Sequence, residues 1–142
     1  MIFDAEHAGS FMPAMQVRIA LKQLAKRDYA HFMGIKYGRK LFFPFGPRPE
    51  DTGDVPDPRI DRAVVQKWCA GLTGFPFVDA GMRQLTSSGW AHDRVRECLA
   101  WFLARGFGQD WRLGAEWFER CSLDYDPFIC YGAFARVAGL TK

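Results

Sequence analysis

Apolar residues in this chain recur three and four positions apart, and no stretch of useful length alternates with a period of two. That pattern points away from sheets and toward helices. The clearest stripe is Val95, Cys98, Leu99, Phe102 and Leu103, in a helix expected over His92–Arg105 with Gly106 at its C-terminal cap. Near the start, Pro13 suits the first turn of a helix. Val17, Ala20, Leu21, Leu24 and Ala25 then keep helical spacing, with Arg18, Lys22 and Lys26 on the polar face. This helix is expected to end near Gly34 or Gly38. Shorter helices are expected over Ile60–Cys69 and Val78–Leu85. Another follows Asp110 as N-cap and reaches Cys121 with Trp117 and Phe118 inward, and one more lies within Asp124–Gly139. Met1–Phe11 has no clear period, and residues 1–15 are expected to be unstructured. The Pro- and Gly-rich stretch 44–58 reads as a loop, because helical patterns flank it. The expected class is all-α, an irregular packing of short helices without a four-helix-bundle heptad.

With 142 residues, one domain is the expectation. The chain has 13 Phe and 5 Trp, and such aromatics fill cores or line flat pockets for planar ligands. No apolar run is long enough to cross a membrane. Cys69, Cys98, Cys121 and Cys130 form no CxxC pair, and with His7, His31 and His92 they make no zinc pattern, so no metal is expected. The start lacks the features of a secretory signal or a transit peptide. A reducing, intracellular setting with free thiols is therefore expected.

The net charge of +3 is unevenly spread. Between Phe11 and Arg48 stand Arg18, Lys22, Lys26, Arg27, Lys36, Arg39, Lys40 and Arg48 against a lone acid, Asp28. Such a stripe is either a solvated helix face or a surface for phosphates. Farther on, Asp93, Arg94 and Arg96 fall in the first turns of a helix. Arginines there oppose the helix dipole and call for compensation. Arg96 paired with Asp124 or Asp126 is one solution. The pair is either an ordinary ion pair between helices or fixed charge set against a polarised cofactor ring.

The string TGFPFVDAGMRQLTSSGWAHDRVRECLAWFL, followed by DWRLGAEWFERCSLDYDP, resembles the photolyase and cryptochrome family. The shared pattern is TGxPxxDAxMRxL, GWxHxRxR, DWRxGxxWF and LDxDP, in order and at intact spacing. WFERCSLDYDP and the upstream RDYAHFMGIKYGRKLF look most like the DASH branch of cryptochromes, so the likeness spans about 18–139. It implies an all-helical domain holding FAD in a folded shape. It also implies blue-light repair of pyrimidine dimers, for DASH members in single-stranded DNA, or light signalling through the same cradle.

Carried over by position, Arg96 and Asp124 match an ion pair over the flavin ring, and Asp126 a second acid near the ring and ribityl chain. Trp90 matches the pocket wall, and Arg27 a guanidinium near the FAD phosphates. Asp93 stands where photolyases have an Asn that touches flavin and lesion; plant cryptochromes share the HDR of this chain. Cys130 falls at a flavin-facing position that holds Asn in photolyases and Cys in animal cryptochromes; its plainer reading is a small buried hydrophobe. Arg94 matches a residue that reaches DNA, and Trp111 the middle Trp of an electron-transfer chain.

Other positions depart from the family. Gln23 replaces a Glu that assists repair, and Lys26 a Trp that stacks on the lesion. Phe134 replaces the Trp nearest the flavin, and Arg136 another lesion-facing aromatic. Nothing in Met1–Met15 resembles the family's TxxSxLSP-like phosphate segment. The α/β antenna domain and the segment beyond Gly139 have no counterpart, so the domain is expected to be incomplete. The antenna domain or another chain is an expected partner. Three readings follow: an FAD-dependent DNA repair domain, a non-enzymatic photoreceptor module, and an inactive remnant.

Overall fold

A computed structural model of the chain describes residues 14–47 and 59–141. Arg48, the 48–58 part of the loop expected over 44–58, and the expectations for Pro13 and for a phosphate segment at the N-terminus lie outside the described residues. Within them the chain is helical: α1 (Ala14–Tyr37), a 3-10 turn (Gly38–Phe42), α2 (Arg62–Cys69), α3 (Pro76–Ser88), α4 (Asp93–Trp101), α5 (Trp111–Cys121) and α6 (Pro127–Val137). A lone parallel bridge joins Arg59 to Gln109.

Short side chains set most helix starts. Asp61 accepts from the backbone N–H groups of Ala63 and Val64, His92 Nδ1 from Arg94, Asp110 from Arg112, and Asp126 from Ile129. α3 starts at Pro76, two residues before the expected Val78, because proline's fixed φ suits the first helical position. α1 includes Ala14 and Met15, both good helix formers, so these two residues are helical, against the expectation for 1–15.

Of the two stops expected for α1, Gly38 is the one used: the helix ends at Tyr37 and Gly38 is left-handed at φ 51°. Gly34 lies within the helix, buried because the Phe128 ring lies flush against it and leaves no room for a Cβ. Gly106 is not a left-handed cap, because after Trp101 the helix widens into a π turn, Phe102–Gly106. There Phe107 N–H bonds Phe102 O at 2.8 Å. Gly139 does take the left-handed conformation, at φ 82°. Leu140 N–H then reaches Ala135 O and Gly139 N–H reaches Arg136 O, which closes α6 in a Schellman motif.

The core sits among α2 to α6. Trp68 stacks on Phe118 at 6.2 Å, and Phe118 meets Phe134 edge-on at 5.1 Å. Met82, Leu85, Leu99 and Leu103 fill the space around them. α1 is different. It meets α6 near its C-terminal end, while residues 16–29 are exposed all round, including Val17, Leu21 and Leu24. α5 and α6 come close because Gly114 has no side chain. A Cβ there would lie 2.7 Å from Leu103 Cδ2 and closer still to the Phe134 ring. Gly114→Ala is expected to destabilise the chain by about 1–3 kcal/mol through overpacking, read as a lowered urea midpoint at unchanged slope. A midpoint equal to wild type would show that the helices are not this close.

Candidate functional site

The N-terminal ends of α4 and α6 and the loops before them meet on one face. Leu123 N–H bonds Gly89 O at 3.0 Å, which lays the Gly89–His92 loop beside Leu123–Asp126. Ser88 Oγ adds two contacts to the backbone of Trp90 and leaves its indole half exposed. Arg96 bridges the two loops. Its Nε donates to Ala91 O at 2.7 Å, and its Nη2 to Asp124 Oδ1 at 2.8 Å. Of the two partners the sequence allowed, the structure selects Asp124. The Arg96 side chain is 21% exposed and that of Asp124 55%, so the pair opens to solvent on its acid side. The arginine at the helix start is thereby compensated, together with Asp93 in the same turn.

Asp126 has another partner. Its Oδ1 caps α6, and its Oδ2 lies 2.9 Å from His31 Nε2 on α1. Burial pushes its carboxyl up, but the Ile129 N–H and His31 outweigh that and hold it below the ordinary carboxylate range. Cys130 is mostly buried, with Sγ 3.8 Å from Ala115 O, and burial pushes its thiol up to about 12. It is a neutral, apolar lining group and not a thiolate.

Arg94 and Arg136, the two candidate DNA contacts in this half, converge on Glu97. Arg136 Nη1 stands 3.0 Å from its carboxylate and Arg94 Nη1 3.9 Å. Gln23, Lys26 and Arg27 are exposed on α1, and Arg27 pairs with Asp28 at 3.1 Å. Asp93 is exposed on the first turn of α4. Trp111 is buried; its indole donates to Pro44 O at 3.0 Å and meets Tyr131 edge-on at 5.9 Å.

His31 has no signal in the sequence, since its partner lies 95 residues away; Glu97 is spaced i,i+3 from Arg94, but its nearer partner, Arg136, lies 39 residues away. A groove of about 510 Å³, lined by residues including Val65, Cys69, Leu113 and Trp117, lies between α2 and α5, and none of the candidate residues lines it. All four cysteines are free. Among the described residues no cluster of three metal-ligating groups occurs, and no helix is long and apolar enough to cross a membrane.

Several motif residues serve the fold. Asp79 accepts from Thr73 N–H at 2.8 Å, Thr73 Oγ1 at 2.6 Å and Gly74 N–H at 3.0 Å, clamping the turn before α3. Asp110, nearly fully buried, holds Arg112 through Nε and Nη2. That bond, more than burial opposes it, raises the guanidinium's pKa.

The wall suits a flavin in part. Arg96 and Asp124 set a donor and an exposed acceptor side by side, as the carbonyl and imide edge of the ring needs, and Trp90 adds an apolar flank. Arg27 is the phosphate-side candidate.

A family model described as the FAD binding domain of DNA photolyase matches residues 20–142. A cryptochrome DASH, chloroplastic/mitochondrial, of Oryza sativa subsp. japonica is 42% identical over 120 residues, 84% of this chain and 20% of that protein. The crystal structure of a Synechocystis cryptochrome aligns at TM-score 0.81 and 38% identity, over 87% of this chain and 25% of that one. A bacterial class III photolyase from Agrobacterium tumefaciens aligns at TM-score 0.80 and 30% identity, over 89% and 25%. The chain thus spans between a fifth and a quarter of the length of these relatives.

Asp79 gives a test of the clamp. The Thr73 hydroxyl, against the effect of burial, holds its carboxyl below the ordinary range, aided by the Thr73 and Gly74 N–H groups. A carboxyl lowered by folding contributes stability above its unfolded value, and that contribution is lost as pH falls through its folded value. Asp79→Asn is expected to lower stability at pH 7 and to flatten the loss of stability below about pH 4. An unaltered acid limb in denaturant titrations would count against the clamp.

Proposed function

Because this chain belongs to the family of FAD-binding domains of DNA photolyases, we propose that its α4–α6 face is one wall of an FAD site in a DASH-like, light-driven flavoprotein. FAD is the cofactor of this domain family. The observation that carries the assignment to this face is the Arg96–Asp124 pair, set between Trp90 and Asp126.

Each residue has a duty. Arg96 offers a fixed positive charge and Asp124 an acceptor to the polar edge of the ring, and Trp90 covers its apolar flank. Asp126 would accept from a hydroxyl or ring N–H, and Arg27 would hold the phosphates. Asp93, exposed on the first turn of α4, would stand where cofactor and lesion meet. Cys130 keeps the inner side apolar, and at a pKa of about 12 it is no proton donor. FAD, when bound, supplies light absorption and electron transfer.

The substrate we propose is a pyrimidine dimer in single-stranded DNA. Gln23, Lys26, Arg94 and Arg136 face the nucleic acid, and phosphate contacts supply sequence-independent affinity. One observation favours a second reading, a photoreceptor without repair. Arg136, in place of a lesion-facing aromatic, is engaged by Glu97, so it brings no aromatic ring to a flipped base and its charge is already partnered.

Visible absorbance of the purified full chain with added FAD tests the site. A flavin band is expected, and Arg96→Ala should weaken binding about 10-fold or more, as loss of a charged hydrogen-bonding group implies. Absence of the band would sink both readings. Blue light on dimer-containing single strands then decides between repair and signalling.

Electron supply has its own test. Phenylalanine is much harder to oxidise than tryptophan, so Phe134 breaks a path through Trp111. Phe134→Trp is expected to speed photoreduction, while its larger ring strains the Gly114 notch and costs about 1–3 kcal/mol of stability. An unchanged photoreduction rate in the folded variant would remove Trp111 from the relay.

A further inference from the structure

Asp126 is engaged from two sides, by the Ile129 N–H at Oδ1 and by His31 Nε2 at Oδ2, each at 2.9 Å. An ionised carboxylate has no proton to give, so Nε2 carries the hydrogen. The imidazole is itself fixed. It stands edge-on to Phe128 at 5.8 Å, and that same ring packs against Gly34, one turn along α1.

The fold has little need of the His31 contact. α6 is already capped through Oδ1, and Phe128 against Gly34 already joins α1 to α6. What the contact does is fix the plane of the carboxylate. A carboxylate has roughly four lone-pair sites. Two are taken, and the Asp126 side chain remains 29% exposed.

We propose that His31 is a positioning residue for the cofactor site: its Nε2–H holds Asp126 so that the remaining lone pairs meet a hydrogen-bond donor of FAD, a ribityl hydroxyl or the ring N–H. This rests on the flavin reading above. It also ties α1, which carries Gln23, Lys26 and Arg27, to the wall formed by α4 and α6.

Two variants of the full chain test it. His31→Phe keeps a ring against Phe128 without a donor, and His31→Gln keeps a donor. Two quantities are read: the midpoint of the Asp126 carboxyl in a carbon-13 NMR titration without FAD, and the affinity for FAD by absorbance. His31→Phe is expected to raise the midpoint toward the ordinary carboxylate range and to weaken FAD about 5- to 10-fold, the scale of one hydrogen bond. His31→Gln should restore most of both. A midpoint unmoved by His31→Phe overturns the proposal, and so does a moved midpoint with unchanged FAD affinity. A wild-type chain that takes up no FAD overturns the flavin part. The carboxyl titration, which needs no FAD, separates that failure from failure of the His31 contact.

Discussion

Helices α2 to α6 are 8 to 13 residues long, and helices of that length are marginal in water on their own. Each must therefore be capped at its start and buried along one face. The caps decide where the loops go. His92, Asp110 and Asp126 bind the first turns of α4, α5 and α6, so the backbone just before each helix is held and not free to wander. The wall formed by Trp90, Arg96, Asp124 and Asp126 consists largely of those held segments. Local capping thus places groups that are distant in sequence, without a sheet or a disulfide.

The same constraint shows how the motifs should be read. In DWRxGxxWF, Asp110 caps α5 and grips Arg112, Trp111 ties the helix to Pro44, and Gly114 opens the notch for Phe134. In TGxPxxDA, Thr73, Pro76 and Asp79 build the turn that launches α3. In GWxHxRxR, Gly89 closes α3 and His92 opens α4. These are folding devices. Trp90, Arg96 and Asp124, by contrast, end together on the open face where α4 and α6 begin.

How much was legible follows from range. Helix existence rests on periodicity and caps, which are local, and every expected helix is present. α1 ends beside Gly38, one of its two expected stops, and the approach of Phe128 explains why Gly34 is a packing position instead; the cap expected at Gly106 fails, because the π turn displaces it. Exposure of Val17, Leu21 and Leu24 was not legible either, because spacing marks an apolar face without saying what covers it. At the site, electrostatics narrowed the partner of Arg96 to two acids, and the loop pairing at Gly89 and Leu123 chose between them. His31 with Asp126 and Glu97 with Arg136 depend on tertiary approach alone.

The departures from the family fall unevenly across this division. Phe134 and Cys130 lie behind the wall, in or near the core, where bulk and apolarity suffice. A Phe at 134 fills the Gly114 notch, so folding alone explains it. Trp111 likewise has a folding duty in its bond to Pro44, and its presence says nothing by itself about electron transfer. The Arg96–Asp124 pair is different. With the acid half exposed, such a pair contributes about 0–1 kcal/mol, and folding gives little reason to set a carboxylate there beside a half-exposed indole. Those side chains are better explained by what they face than by what they hold together. The cofactor wall proposed above therefore does not depend on Phe134 or Trp111, because the two sets of residues are built from different parts of the fold.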